Sequence, residues 1–93
     1  MKYTVDFTFK FKKQHKKLKK QGKDINKLKK VILMLANGEE LPIEYRNHRL
    51  TNDNYYHNCF ECHIEPDWLL VYKIDNDVLV LLLYATCSHS ELF

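Results

Sequence analysis

The chain reads Trp68-Leu69-Leu70-Val71-Tyr72-Lys73-Ile74-Asp75-Asn76-Asp77-Val78-Leu79-Val80-Leu81-Leu82-Leu83-Tyr84 where two apolar runs flank a short polar segment. Both runs are rich in aromatic and β-branched residues, and the acidic and amide residues between them suit a turn. The stretch therefore predicts two antiparallel strands. Because the second run is apolar at every position from Val78 to Leu83, it predicts a strand inside a sheet, with both of its faces covered.

Two further strands and an irregular connection complete the predicted sheet. The run from Tyr55 to Ile64 has the composition of a strand, so three antiparallel strands follow one another in the second half of the chain. The alternation from Tyr3 to Asp6 predicts a short strand at the start. Polar residues and Pro42 predict an irregular connection from Glu39 to Asn54.

Two helices are predicted between the first strand and this connection. The spacing of Phe11 and Leu18 predicts a helix from about Thr8 to Gln21. Asp24 suits the N-cap of a second helix, whose apolar stripe ends at Asn37-Gly38. The lysines of both helices fall opposite the apolar stripes, so each helix can pack one side on the sheet and present cations to solvent.

The sequence thus predicts a single small α+β domain over residues 1–93. Two N-terminal helices would pack on a twisted, mainly antiparallel sheet of four or five strands, and a short helix is possible over Ser88 to Phe93. The longest apolar run is too short to span a bilayer, and the first residues lack the apolar segment of a signal peptide. Since the chain has three cysteines, an odd number, it fits a reducing compartment, and we expect a cytoplasmic protein without membrane contact.

The net charge of +3 conceals a strong asymmetry. Residues 1–30 carry twelve lysines against two acids, a balance of +10, whereas residues 31–93 carry three cations against ten acids, a balance of −7. A lysine-dense segment favours binding to a polyanion such as RNA, although a solvated helix face is the simpler explanation. The candidate RNA-binding lysines of the first helix are Lys12, Lys13, Lys16, Lys17, Lys19 and Lys20.

Histidines and acids in the second half of the chain could perform proton-transfer chemistry on a phosphodiester. Cleavage of RNA by its own 2′-hydroxyl requires a base, an acid and positive charge near the phosphate, and histidine can serve as base or acid near neutral pH. Arg46 and Arg49 flank one of these histidines and could bring cations to an anionic ligand. The candidate reactive residues are His48, His63, Asp67 and His89, with His57 and Glu65 in reserve.

Two other interpretations of these residues remain open. Cys59-x-x-Cys62-His63 together with Cys87-x-His89 offers zinc-ligand chemistry, but residues three apart on a strand point to opposite faces, so we expect packing cysteines, half-buried, and no metal. Trp68 could stack on an RNA base, or it could be a core residue at the start of a strand. The same alternatives apply to Phe93.

The chain resembles the YafQ branch of the RelE-type toxins. The resemblance covers nearly the whole chain and is most specific from His63 to Ile74 and at the C-terminus. It rests on Gly22-Lys23-Asp24, on Leu41-Pro42, on Tyr45-Arg46-Asn47-His48, on Glu61-Cys62-His63-Ile64-Glu65-Pro66-Asp67-Trp68-Leu69-Leu70-Val71-Tyr72-Lys73-Ile74-Asp75, and on Ser88-His89-Ser90-Glu91-Leu92-Phe93.

This resemblance implies a ribosome-dependent messenger-RNA endonuclease that acts without a metal, the toxin of a bacterial type II toxin–antitoxin pair with a RelE-like fold. It implies His89 as general acid, His63 with Asp67 as the base, and His48 as an orienting group or phosphate ligand. Trp68 is a site tryptophan of the family, and Phe93 would pack the terminus in place.

The resemblance also implies partners. Ribosomal RNA would be the polyanion that the lysine-rich helices bind. The protein partner would be an acidic antitoxin that wraps the basic surface, and whose own DNA-binding domain represses the shared operon.

Two positions depart from the family pattern, because Phe60 and Ala85 stand where relatives commonly carry arginine. Loss of cationic donors near the scissile phosphate should slow cleavage, and restoring arginine at either position should raise it. The alternatives are therefore a catalytically weak or inactive homologue that serves as an antitoxin-binding corepressor, and a general basic RNA-binding module.

Overall fold

The computed structural model describes residues 1–50 and 58–88. Its helices are α1 (Phe9–Lys20) and α2 (Ile25–Ala36), followed by a single 3-10 turn (Ile43–Tyr45). Its strands are β1 (Thr4–Phe7), β2 (His48–Arg49), β3 (Phe60–Glu65), β4 (Trp68–Asp75) and β5 (Val80–Cys87). This α+β architecture confirms the predicted fold class.

Both helices begin at the capping residues that the sequence indicates. The Thr8 hydroxyl accepts a hydrogen bond from the backbone N–H of Phe11 at 3.1 Å, and this starts α1. The Asp24 carboxylate accepts from the N–H of Asn26 at 3.1 Å, and this starts α2. Gly22 follows α1 with a φ of 79°, a conformation that suits glycine and ends the helix.

The five strands form one mixed sheet in the order β1-β5-β4-β3-β2. β1 pairs in parallel with β5, and the other three pairs are antiparallel. β5 lies between β1 and β4, so the predicted interior position is confirmed. Only one face of β5 is fully covered, because Leu81 and Leu83 on that face are buried, whereas Leu82 and Tyr84 on the other face are half-buried.

The predicted bounds of two strands need correction. Val78 and Leu79 belong to the turn and β5 begins at Val80, because Leu79 has a φ of 54°, which a strand cannot accommodate. The Asp75 carboxylate extends this turn by accepting from the backbone N–H of Asp77 at 3.0 Å. β3 begins at Phe60 rather than Tyr55, and residues 55–57 lie outside the described residues.

The main core lies between the sheet and the two helices. Phe11 and Leu18 from α1 and Leu28 and Val31 from α2 pack with the side chains of the strands on this face. A smaller cluster of Cys59, Val71 and Ala85 lies on the opposite face, partly covered by Leu50 and Tyr84. The sheet therefore has a helix-covered face and a second face, which carries the polar residues described below.

The cysteines are fully buried rather than half-buried. Cys59 is 1% exposed, Cys62 is 0% exposed and Cys87 is 3% exposed. Cys59 belongs to the cluster on the second face and Cys62 to the helix-covered core, so the two side chains point apart as the strand geometry predicts. This arrangement does not suit a shared zinc ion.

The predicted connection from Glu39 to Asn54 is described as far as Leu50, and this part is more ordered than the sequence indicates. The 3-10 turn ends at Arg46, which has a φ of 47°. The chain then forms β2, which pairs with β3 so that His48 lies opposite Glu61. None of the helices within residues 1–50 and 58–88 has both the length and the apolar composition needed to cross a bilayer.

Candidate active site

Two histidines meet around one carboxylate on the second face of the sheet. The β2–β3 pairing brings His48 beside Glu61, and His63 lies two residues further along β3, on the same face. The His48 Nε2 atom is 3.5 Å from Glu61 Oε1, and the His63 Nε2 atom is 3.7 Å from the same oxygen. The imidazole centroids are 6.4 Å apart. The structure thus brings together two of the predicted histidines.

Backbone carbonyls fix the orientation of both rings. The Nδ1 atom of His48 lies 2.8 Å from the Arg46 carbonyl oxygen, and the Nδ1 atom of His63 lies 3.2 Å from the Pro66 carbonyl oxygen. Because a carbonyl oxygen can only accept, each Nδ1 must carry a hydrogen and donate it. In each ring Nε2 is then the nitrogen that can accept a proton.

Glu61 is the buried member of this cluster. Its side chain is only 5% exposed, and within the described part of the chain its Oε2 atom has no hydrogen-bond partner. A carboxylate beside an imidazole stabilises the imidazolium that forms when the ring accepts a proton. The carboxylate is therefore placed to support either imidazole as a proton acceptor.

Sequence reasoning did not include Glu61 among the site residues. The signal was present, because a strand that turns His63 to one face turns the residue two positions earlier to the same face. The sequence could not show that the short strand β2 pairs with β3, and this pairing places His48 beside the Glu61 carboxylate.

A cleft of about 460 Å³ opens beside His63 between α2, the 3-10 turn and the β3–β4 turn. Three cations, Lys27, Lys30 and Arg46, line it together with the acids Glu44 and Glu65. The remaining lining residues are Tyr45, His63, Ile64 and Pro66. An anionic ligand in this cleft would therefore meet both cations and acids, with His63 in the wall of the cleft.

Family comparison decides what kind of protein carries this site. The family model for YafQ, the bacterial toxin of type II toxin–antitoxin systems, matches residues 3–93. The chain belongs to the YafQ family.

Individual relatives agree with this assignment. The mRNA interferase toxin YafQ of Escherichia coli (strain B / BL21-DE3) is 33% identical over 90 residues, which cover 96% of this chain and 94% of that protein. The crystal structure of the E. coli DinJ-YafQ complex contains a similar chain, with a TM-score of 0.88, 33% identity and 98% of both chains covered. The metal-bound toxin from Helicobacter pylori has a TM-score of 0.91 and 40% identity, with 98% of this chain and 99% of that chain covered.

In this YafQ-family chain Glu61 places a carboxylate beside His63, next to the expected pairing of His63 with Asp67. Asp67 is exposed on the β3–β4 turn and lines a second cleft together with Glu65 and Pro66. Its role as partner of the base stays a prediction.

Trp68 does not occupy a position from which it could stack on RNA. The side chain is 2% exposed in the helix-covered core, and its Nε1–H donates to the Thr86 hydroxyl at 2.9 Å. A ring enclosed in this way offers no free face to a base. The core interpretation of this residue therefore replaces the RNA-binding assignment.

The two arginines between α2 and β3, Arg46 and Arg49, line different depressions of the surface. Arg46 lines the cleft beside His63. Arg49 instead donates from Nη2 to the Asn58 amide oxygen at 2.8 Å and lines a separate depression beside β4. Of the two, only Arg46 is placed to contact a ligand in the His63 cleft.

The lysines of α1 form a basic surface of their own. All six predicted RNA-binding lysines of this helix are exposed. The helix packs on β5 through Phe11 and Leu18, whereas His48 and His63 lie on the strands at the other edge of the sheet. These lysines therefore cannot belong to the His63 cleft, and they suit a docking contact. The predicted site residues His57, His89 and Phe93 lie outside the described residues.

The two positions where the resemblance leads us to expect arginine, Phe60 and Ala85, lie on opposite faces of the sheet. The Phe60 ring stacks on Tyr72 at 5.7 Å between centroids and packs against the helix-covered core. Ala85 lies in the cluster on the second face, in one cross-strand row with Glu61 and Val71. An arginine at position 60 would point away from the histidines, so restoration there should disturb the core without aiding catalysis.

Cys62 is expected to be inert toward thiol reagents. Burial raises the pKa of its thiol from 9.0 to about 12, and the neighbouring Glu61 charge acts in the same direction. Since the thiolate is the reactive form, iodoacetamide at neutral pH should leave Cys62 unmodified in the folded protein and label it in denaturant. Mass spectrometry of the peptide carrying Cys62 measures both. Equal labelling in the two conditions would contradict the burial argument.

Proposed function

We propose that this YafQ-family toxin, with residues 1–93 as one domain, is an mRNA interferase that cleaves messenger RNA on the ribosome without a metal. The activity is supported by the E. coli relative, which is named an mRNA interferase toxin. The observation that carries the chemical proposal is the approach of two imidazole Nε2 atoms to one buried carboxylate, beside a cationic cleft.

The proposed base is His63. Its Nε2 atom accepts the proton of the RNA 2′-hydroxyl while the 2′-oxygen forms a bond to the adjacent phosphorus. The charge of Glu61 stabilises the resulting imidazolium, and the Pro66 carbonyl keeps the ring in the tautomer that leaves Nε2 able to accept. Glu61 thus shares the supporting role that the resemblance gives to Asp67.

The bond from phosphorus to the 5′-oxygen then breaks, and His89 donates a proton to that oxygen as general acid. The products are an RNA end with a 2′,3′-cyclic phosphate and a second fragment with a 5′-hydroxyl. His48 shares the Glu61 oxygen with His63, and we propose that it binds a phosphate oxygen when its own Nε2 is protonated. Phe93 would hold the C-terminal residues in place.

The proposed protein partner is an acidic antitoxin in the cytoplasm. The similarity to the YafQ chain of the E. coli DinJ-YafQ complex supports such a partner. The exposed lysines of α1 supply a positive surface that an acidic segment could cover, and a DNA-binding domain on the antitoxin would allow the pair to repress its own operon.

A corepressor without nuclease activity is the second candidate. Its support is specific, because Ala85 lies on the face that carries Glu61, at a position where the resemblance leads us to expect arginine. Such a protein would bind the antitoxin and leave messages intact.

The two candidates are separated by adding purified protein to ribosomes stalled on a defined message and mapping new RNA ends by primer extension. The nuclease proposal expects cuts confined to the codon in the decoding site and abolished by His89→Ala. Intact message in the presence of folded protein that still binds its antitoxin would favour the corepressor. Cuts in free RNA that persist in the variant would point to a contaminating nuclease.

A further inference from the structure

The β3–β4 turn is tied to the start of α2 by one carboxylate. Glu65 accepts a hydrogen bond from the Lys27 ammonium at 2.9 Å and lies 3.5 Å from the Lys23 ammonium. The bond to Lys27 lowers the pKa of Glu65, and the same bond raises the pKa of Lys27. Both groups are therefore charged at neutral pH, and the lysines hold an oxyanion supplied by the chain itself.

This ion pair separates two clefts. On one side lies the cleft that contains His63, with the cations Lys27, Lys30 and Arg46. On the other side lies a cleft of about 380 Å³ whose lining includes Lys23 and Asp67. Glu65 and Pro66 line both clefts, so the ion pair lies where the two clefts meet.

The pair is weak enough to exchange. The side chains of Lys23, Lys27 and Glu65 are 44%, 51% and 29% exposed, so water screens their attraction. An incoming phosphate offers the same kind of oxygen ligand to the ammonium groups of the two lysines. It can also bind Lys30 and Arg46, and neither of these forms a hydrogen bond or ion pair with Glu65 in the described structure. Exchange of Glu65 for a phosphate therefore requires only a side-chain rotation.

We propose that the His63 cleft binds a backbone phosphate of RNA through Lys27, Lys30 and Arg46, and that Glu65 occupies the lysines as a competing internal anion until RNA arrives. This proposal rests on the proposed nuclease function and adds the residues that seat the strand next to the reacting phosphate. Glu65 would make the cleft selective for a correctly placed RNA strand, because a weakly bound anion cannot displace its carboxylate from the lysines.

The test uses a short single-stranded RNA carrying a fluorophore and 2′-O-methyl groups, which the enzyme cannot cleave. Its affinity is measured by fluorescence anisotropy at a series of salt concentrations. Lys27→Gln and Lys30→Gln should each weaken binding about threefold. Each should also reduce the slope of log affinity against log salt, by no more than about 0.7, the value for one neutralised phosphate of a single strand.

Glu65→Gln should have the opposite effect. Removing the internal anion frees two lysines, and affinity should rise about fivefold, the value expected for a unit charge at contact distance in water. Glu65→Asp keeps the charge and should bind RNA like the natural protein. Circular dichroism and thermal melting verify that each variant is folded.

Matched controls lie close by in the chain. Lys29 is exposed on the same helix but does not line the cleft, so Lys29→Gln removes the same charge from outside the proposed site. Glu40 is an exposed acid beyond the end of α2, and Glu40→Gln is the control for Glu65. Both controls should change the affinity by less than half as much as the cleft variants.

The RNA in the cleft could be message or ribosomal RNA, and a second measurement distinguishes them. Binding of the same variants to vacant ribosomes reports ribosomal RNA alone. If Lys27→Gln weakens binding to the oligonucleotide but not to vacant ribosomes, the RNA in the cleft is the message. If it weakens binding to vacant ribosomes but not to the oligonucleotide, the RNA in the cleft is ribosomal RNA.

Three results would overturn the proposal. The first is an equal loss of RNA affinity in Lys27→Gln and Lys29→Gln. The second is an unchanged or lower RNA affinity in Glu65→Gln. The third is normal binding of all cleft variants to both the oligonucleotide and vacant ribosomes. Because the oligonucleotide cannot be cleaved, a failure of the nuclease proposal would appear separately. Message left intact on ribosomes, with these binding differences preserved, would refute cleavage and leave the binding site standing.

Discussion

Replacing His63 with glutamine should reduce the rate of message cleavage by about a hundredfold to ten-thousandfold, the usual contribution of a positioned general base. Glutamine fills similar space and can bond to Pro66, but its amide cannot accept a proton from the 2′-hydroxyl. The loss should therefore appear in the chemical step, measured by single-turnover cleavage on stalled ribosomes.

Two further variants identify the cause of that loss. His15 lies on α1 with its ring 6.0 Å from that of Phe11, away from the site, so His15→Gln should cleave at the natural rate. Glu61→Gln keeps the shape of the buried side chain and removes the charge that stabilises a protonated imidazole, so it should slow cleavage about tenfold or more. Normal cleavage by His63→Gln, with antitoxin binding retained, would show that the base lies elsewhere.

Replacing Trp68 with alanine should lower the free energy of unfolding by about 3–5 kcal/mol, the range for removing a large aromatic side chain from a core. The substitution empties a site that is 2% exposed and leaves the Thr86 hydroxyl without its indole partner. Urea denaturation followed by circular dichroism measures the change. Such a loss is a large part of the stability of a small domain.

Controls separate packing from RNA contact at this position. Phe9 is 77% exposed, so Phe9→Ala should change the free energy of unfolding by no more than about 0.5 kcal/mol. Trp68→Phe keeps an aromatic ring but loses the Nε1–H bond, and should cost about 1–3 kcal/mol. A Trp68→Ala protein with natural stability and reduced RNA affinity would restore the stacking role that the residue type suggested.

Local signals in the sequence were sufficient for most of the fold. The caps at Thr8 and Asp24 act through hydrogen bonds within three residues, so the helix boundaries follow from neighbouring residues. The interior position of β5 follows from its apolar run. The start of β5 was misplaced because Val78 and Leu79 have strand composition, yet the turn needs a left-handed residue after the acidic segment.

The site was only partly predictable. His48 and His63 were chosen by residue type and by the family resemblance, and the structure brings them together. Glu61 was missed because its importance depends on a two-residue strand that composition does not indicate. Trp68 received an RNA-stacking role that its burial does not support, since residue type alone does not show whether a ring faces the solvent or the core.

The sequence by itself determined the helices, the interior strand, the charge asymmetry and, through its motifs, the YafQ family. The tertiary structure decided which carboxylate lies beside His48 and His63 and which cations share a cleft with His63. The physical reason is the range of the interactions involved. Caps, turns and hydrophobic periodicity act between residues close in the chain, whereas the hydrogen bond between Lys27 and Glu65 and the contact of His48 with Glu61 join segments that only the packed sheet and helix bring within bonding distance.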